Sequence, residues 1–500
     1  MLDSKESAPL YEALLRYKKS EDVSFHVPGH KDGQAYRSLQ MGGEPLTQVM
    51  DIDITEITGS DDLHHPEGVI LEAQQRATSY FGADQTFFLV GGSTAGNLAL
   101  ILSVCTTPGD VLLVQRNVHK SVIHGLMLAN ANAVFLAPQI HAKSGLATIP
   151  AQDTVREALR RHPNAKGVLV THPNYYGMGT SLKPLAELCH NSGVPLLVDE
   201  AHGAHFGLHP KLPENALEAG ADGVVQSTHK MLTALTMGAM LHVQGDLLDR
   251  RLLAQRLAMI QSSSPSYPIM ASLDLSRSLL QTKGQVIFEE GLAAAQTIRN
   301  GIANLSRFDV LKVNASGTNA AYDIQDPFKV VLYDASGQWS GYELQEKLEA
   351  AGCIPEMSDD RYVVLALSQG TTYKDTVRLL LTLENMDKDE YIRESTRFST
   401  WNIAQEDEVS SPILFSLTPI SEEMTEAVSI EQSVGRQAAE MIIPYPPGIP
   451  LLYPGEMISK ETMVRLVGLR EAKAKCQGAE DPLLRAIRVR KVKEGSRGKV

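Results

Sequence analysis

The sequence predicts an α/β fold built on a mostly parallel sheet, and three observations carry that expectation. Between about Asp84 and Met240, short β-branched runs alternate with a loop containing Gly or a polar cluster and then a helical pattern. The runs are continuously apolar rather than alternating, as expected of strands covered by helices on both faces. The unusual polar clusters follow the runs, at the carboxyl ends of the strands, where ligands bind in such sheets.

Thr86–Val90, Val111–Val114, Ala133–Leu136, Gly167–Thr171, Pro195–Val198 and Gly223–Gln226 are expected as buried strands, with helices such as Leu98–Val104 and Leu182–Asn191 between them. Residues 1–70 are rich in His, Gly and Asp and poorly periodic, which predicts an N-terminal arm. Residues 71–299 make the large domain, closing in a helical stretch around Pro268–Arg299. Residues 300–385 make a smaller α/β domain, with Val330–Tyr333 and Tyr362–Leu367 strand-like and Tyr342–Ala351 helical. Residues 386–500 form a C-terminal domain in which Ile430–Ile443 is a helix candidate. Pro444, Pro446, Pro447 and Pro450 then exclude regular structure. Arg485, Arg488, Arg490, Lys491, Lys493, Arg497 and Lys499 crowd the end, expected as a frayed basic tail.

A chain of 500 residues with 43% hydrophobic content can bury a large core, and its length suggests two or three domains. The 46 basic and 59 acidic residues give a net charge of −13, which disfavours nonspecific nucleic-acid binding. No long uninterrupted apolar run occurs, and Met1–Glu6 lacks the pattern of a signal peptide. A cytoplasmic protein without membrane partners is therefore expected. Cys105, Cys189, Cys353 and Cys476 are scattered without a CxxC pair, so neither a metal site nor a disulfide framework is expected.

Two neighbouring strand ends present complementary charges. Leu196-Leu197-Val198 runs into Asp199-Glu200-Ala201-His202-Gly203, and Gly223–Gln226 runs into Ser227-Thr228-His229-Lys230. A pyridoxal 5'-phosphate site needs such a pair: a lysine for the aldehyde, here Lys230, and an anion for the pyridine nitrogen, here Asp199. The alternative is an ion pair at a sheet edge. For the phosphate, Phe87–Val90 opens into Gly91-Gly92-Ser93-Thr94-Ala95-Gly96-Asn97 and then a helix, so small residues offer backbone N–H groups at a helix N-terminus. Ser93, Thr94 and Ala95 are the expected contacts, with Ser227 and His229 beside the lysine as further ones. The cluster Arg116–Ser121 supplies His119, an imidazole that can stack on a flat ring and exchange protons. His202 is expected to orient Asp199 or meet the ring oxygen. Thr171–Gly177 closes another strand and lines the pocket.

These motifs, with Phe25–Lys31, Asp61–Pro66, Ser262–Asp274 and Pro444–Glu456, resemble the Orn/Lys/Arg decarboxylases of the aminotransferase-like, fold type I class of pyridoxal-phosphate enzymes, over nearly the whole chain. The likeness is greatest to the shorter bacterial members without an N-terminal wing domain, such as the Bacillus-type arginine decarboxylases. The resemblance implies a cytoplasmic homodimer or larger homo-oligomer with the active site between subunits, and decarboxylation of a basic amino acid at Lys230, with His119 stacked on the ring. Polyamine synthesis, with acid consumption as the alternative, is the setting it suggests. It also implies that Ser262–Ser264 reaches the neighbouring subunit's phosphate, and that Glu456 meets the distal cation of the substrate, with Asp61 and Asp62 as arm candidates. Met237 is a departure, since many members carry Gln in that segment. Arginine is the leading substrate, with lysine and ornithine as alternatives. An aminotransferase or lyase on the same fold would share Asp199, Lys230 and the phosphate loop, and a silent cofactor-binding regulator would lack turnover.

Overall fold

The computed structural model describes residues 6–20, 22–37, 39, 43–312, 321–388, 408–445 and 448–491. Each of the six apolar runs overlaps a strand of one eight-stranded sheet. In spatial order its strands are Gln85–Leu89, Ala239–Val243, Gly223–Gln226, Leu196–Asp199, Val168–Thr171, Val111–Gln115, Asn132–Leu136 and Ile413–Leu414. The five from Gly223–Gln226 to Asn132–Leu136 are parallel. Ala239–Val243 lies antiparallel between Gly223–Gln226 and Gln85–Leu89. It was not among the expected strands, although Ala239–Val243 is itself an apolar run; it follows the Lys230 loop directly, without a crossover helix. Its two reversals leave Gln85–Leu89 pointing the same way as the parallel strands. The loop from Gly91 therefore opens at the edge that carries Asp199 and Lys230.

Both faces of this sheet are covered, which accounts for the continuous apolar runs. Leu112, Val114, Leu197 and Val225 pack on one side with Ala99, Leu100, Val122 and Leu126. Leu113, Val168, Val198 and Val224 pack on the other with Val155, Ala158, Leu185 and Cys189. Gly96 brings the helix Gly92–Val104 close to the sheet. A Cβ there would meet Val225 Cγ1 at 2.8 Å and Leu89 Cδ1 at 2.9 Å.

The helices Tyr267–Lys283 and Glu289–Ile302 lead to an antiparallel four-stranded sheet ordered Phe308–Val310, Lys329–Asp334, Tyr362–Ala366, Met357–Ser358. Capping boxes at Ser340 and Thr372 start the helices Gly341–Ala350 and Tyr373–Asp387, which bury Leu344, Leu348, Leu379 and Leu383 against it.

Two expectations for the C-terminal region are corrected. Ile430–Ile443 is not a helix: a single 3-10 turn, Ile430–Gln432, is followed by Gly435 at φ +75°, and the chain ends that segment in the short strand Ile443–Pro444. Its spaced apolar residues Ile430, Ala438 and Ile442 are buried by an irregular chain packed on the helix Lys460–Glu471, so apolar spacing alone did not specify helix. The basic end is not frayed as far as Arg490. Ala486–Arg490 pairs with Thr425–Ser429, while Arg485 and Arg488 form ion pairs with Asp481 and Glu480. Lys493, Arg497 and Lys499 lie outside the described residues, as do Pro446 and Pro447. The four cysteines are unpaired thiols, and no helix among the described residues is long and apolar enough to cross a membrane.

Candidate active site

Strand alternation turns Asp199 toward the helix Gly92–Val104, on the same side as Leu197. There its carboxylate, 4% exposed, accepts from Asn97 Nδ2 at 2.8 Å and from the Ala201 N–H at 3.1 Å. Asn97 Nδ2 also donates to Ser121 Oγ at 3.0 Å, which lies 2.9 Å from His119 Nδ1. His119 is the N-cap of the helix Lys120–Ala129 and accepts the Ser121 N–H. Burial pushes its imidazole down to about 4, aided by Lys230 and Lys120 and opposed by Asp199.

Lys230 follows the strand Gly223–Gln226 in the short helix Thr228–Met231. Its Nζ lies 3.1 Å from His202 Nε2 and 5.5 Å from the centre of the Tyr175 ring, which is itself 4.0 Å from the His202 ring. Burial lowers the pKa of Lys230 against the pull of Asp199, with Lys329 adding to the fall. His202 is pushed well below its ordinary value by burial and by Lys230 and Lys329. Both groups are thereby biased toward their neutral forms, as a nucleophilic amine requires. His202 contacts the lysine rather than Asp199, and its Nδ1 is buried without a partner.

The Gly91–Asn97 loop is the first turn of a helix, whose leading N–H groups have no acceptor within the helix. Gly92 sits at φ +69° and donates to the Met237 carbonyl at 2.9 Å, so Met237 shapes this loop through its backbone while its side chain is half exposed. Ser93 Oγ lies 2.7 Å from Ser227 Oγ, joining the loop to the lysine turn. Thr94 is exposed and Ala95 buried. His229 donates Nδ1–H to the Gly238 carbonyl at 3.0 Å.

These residues fit pyridoxal phosphate. A buried carboxylate already carries two donors and stands near an amine biased to neutrality. A helix N-terminus with two hydroxyls faces the same edge, and His202 Nδ1 and Asn97 Oδ1 are buried polar atoms without partners.

Other expected residues have different surroundings. Glu456 accepts from Arg116 Nη2 at 2.8 and 2.9 Å and from the Tyr453 N–H at 3.0 Å, so an intrachain cation already engages both of its oxygens. Arg116 also donates to the carbonyls of Pro450 and Leu451, which fastens the Pro444–Glu456 segment to the large sheet. Asp61 is a cap rather than an open anion: its carboxylate accepts the N–H groups of Asp62, Glu67, Gly68, Ile70 and Leu71. Asp62 accepts the His64 N–H, and His64 Nε2 lies 2.8 Å from the carbonyl oxygen of exposed Ser262.

Sequence reasoning missed Asn97, Ser121 and Glu356. Asn97 stands in the quoted glycine loop one helical turn after Ser93, a spacing that signals the shared face. Exposed Glu356, just before the strand Met357–Ser358, had no local signal. Its charge acts on Lys230, Lys329, His229 and Tyr175.

Residues 8–375 match the family model for the Orn/Lys/Arg decarboxylase major domain, and residues 416–481 match its C-terminal domain. The uncharacterised protein YaaO of Bacillus subtilis is 42% identical over 478 residues, 94% of this chain and 96% of that protein. The arginine decarboxylase of Halalkalibacterium halodurans is 35% identical over 506 residues, 99% of this chain and 100% of that protein. The fold matches that of Escherichia coli constitutive lysine decarboxylase with a TM-score of 0.78 at 22% identity, over 97% of this chain and 82% of the other. The chain belongs to the Orn/Lys/Arg decarboxylase family.

Proposed function

We propose that this protein decarboxylates arginine to agmatine and carbon dioxide, using pyridoxal phosphate carried on Lys230. The observation that carries this reading is the juxtaposition of a desolvated lysine amine and a buried, doubly hydrogen-bonded aspartate at one sheet edge in a chain of this family. Relatives of 34–35% identity over nearly the whole chain bear the name arginine decarboxylase, which favours arginine over lysine and ornithine.

Ser93, Thr94, Ala95 and Ser227 would hold the phosphate, Asp199 the pyridine nitrogen and His119 the ring face, with His202 and His229 completing the pocket. Pyridoxal phosphate, when bound, supplies a sink for the electrons left on Cα as carbon dioxide departs. Lys230, whose pKa burial lowers, supplies the amine that can bond and be displaced. Asn97 and the Ala201 N–H both donate to the Asp199 carboxylate and hold it in place. The product takes up one proton at Cα, and His119 and His202 are the imidazoles at hand to handle it.

Glu356 is the better candidate than Glu456 for the distal guanidinium, since its carboxylate is exposed and its charge reaches Lys230. Exposed Ser262–Ser264 is available to a partner subunit's phosphate in a homodimer, and a cytoplasmic setting in polyamine synthesis accords with this activity.

Carbon dioxide trapping from labelled arginine, lysine and ornithine tests the reading. Release is expected from arginine foremost, and release from none of the three removes it. Glu356→Gln should raise KM for arginine roughly tenfold or more with a smaller change in kcat. An unchanged KM would remove Glu356 from the substrate site.

A further inference from the structure

The Asn97 side chain hydrogen-bonds neither Lys230 nor any expected phosphate contact, yet Asn97 is 1% exposed and joins two elements of the site. An ionised carboxylate only accepts, so the amide nitrogen of Asn97, and not its oxygen, must face Asp199 Oδ2. The same nitrogen donates to Ser121 Oγ. Asn97 Oδ1 is thereby left buried without a partner, so the orientation is set by what the amide serves rather than by its own hydrogen-bonding needs.

Beyond Ser121 the chain meets the His119 ring at a nitrogen that a backbone N–H also approaches. The Ser121 backbone N–H lies 3.2 Å from His119 Nδ1, and Ser121 Oγ, already accepting from Asn97, lies 2.9 Å from the same nitrogen. Two donors converge on Nδ1, which makes it the acceptor nitrogen of a neutral imidazole and puts the ring proton on Nε2. Gly448, at φ +85°, is the neighbour there, and a Cβ on it would stand 3.1 Å from Nε2.

We propose that Asn97 is a positioning residue that ties the Asp199 carboxylate to the Ser121 hydroxyl, and through that hydroxyl holds His119 as the Nε2–H tautomer. Burial keeps the His119 imidazole low in pKa, which favours a neutral ring. One amide thus fixes both the anion at the edge of the ring site and the proton position of the imidazole on its face. This role rests on the reading of Asp199 and His119 as cofactor contacts.

The test is nitrogen NMR of the full-length protein with 15N-labelled histidine rings at neutral pH, with His119 assigned through His119→Asn. The wild type should show an unprotonated Nδ1 and a protonated Nε2. Asn97→Ala should shift the His119 signals toward a tautomer mixture although Asn97 does not touch that ring, and a Ser121→Ala background should abolish the response. Ser121→Thr, which keeps the hydroxyl, should retain the wild-type pattern. A wild-type His119 protonated on Nδ1, silence of His119 to Asn97→Ala, or an undiminished response in the Ser121→Ala background would each overturn the proposal. Should Asn97→Ala fail to fold, the wild-type tautomer and Ser121→Ala alone decide it, and unchanged His119 signals in Ser121→Ala reject it. In turnover, Asn97→Ala should lower kcat about tenfold or more and leave KM within about twofold. Failure of the decarboxylase reading is seen separately, as wild-type protein that releases no carbon dioxide.

Discussion

Asp199 and Glu200 are consecutive, both buried, and head two polar networks on opposite faces of one sheet. On the first face, Asp199, Asn97, Ser121 and His119 form a chain with open positions, and His202 beside Lys230 has another. On the second, Glu200 Oε1 accepts the Ala216 N–H at 2.8 Å and Oε2 accepts from Gln226 Nε2 at 2.7 Å. Gln226 Oε1 then lies 3.1 Å from His242 Nε2, and His242 Nδ1 lies 2.9 Å from Thr86 Oγ1. That chain runs from just beyond the strand Leu196–Asp199 across three others, and every polar side-chain atom in it is used. It can serve a charged or a neutral Glu200, because the Gln226 amide and the His242 tautomer can reverse together. The difference teaches how to tell a site from a scaffold: two buried carboxylates are separated by whether their networks leave groups open for a ligand.

The largest expected effect lies at Lys230 on the open side. Lys230→Ala should abolish borohydride-trapped cofactor and cost at least ~10³-fold in turnover, with the unfolding midpoint little changed. An adduct mapping to another lysine would move the site. Asp199→Asn should follow, losing roughly 10²-fold or more in kcat while cofactor absorbance shifts and stability stays close to wild type.

The closed network should answer in stability instead. Glu200→Ala leaves the Gln226 amide and the Ala216 N–H without acceptors and should cost about 2–4 kcal/mol in denaturant unfolding. Burial raises the Glu200 carboxyl from 4.5 to about 8, outweighing the donors from Gln226 and Ala216. The folded state therefore keeps a proton that the unfolded chain releases, and wild-type stability should fall as pH rises from about 4.5 to 8, by up to ~1.4 kcal/mol per pH unit. Glu200→Gln should remove that slope. If it instead lowers kcat with no change in the pH dependence of unfolding, the contrast between the two faces fails.

The smallest effect is expected at Glu456, whose partner Arg116 belongs to the strand-end cluster. Glu456→Gln should cost about 1 kcal/mol and leave KM for arginine within about twofold. A tenfold rise in KM at unchanged stability would return Glu456 to the substrate.

What the sequence determined by itself was whatever is local to a strand and the loop after it. Continuous apolar runs located six strands, and small and polar residues beyond them placed Asp199, Lys230, His119 and the Ser93–Thr94 loop at one edge, because strand direction alone puts those loops together. The order of the strands, with Ala239–Val243 reversed between two others, was not written in any run. The irregular path of Ile430–Ile443 escaped a reading based on spacing, since a buried non-helical chain can spread its apolar residues much as a helix does. Side-chain partnership belongs to the tertiary structure for the same reason. Glu456 looked open until Arg116, 340 residues away, took both its oxygens, and Glu356 carried no local mark until the small domain faced its charge toward Lys230. Local backbone preference acts over a few residues, whereas charge pairing and hydrogen-bond direction are decided by groups that only folding brings within about 3 Å of one another.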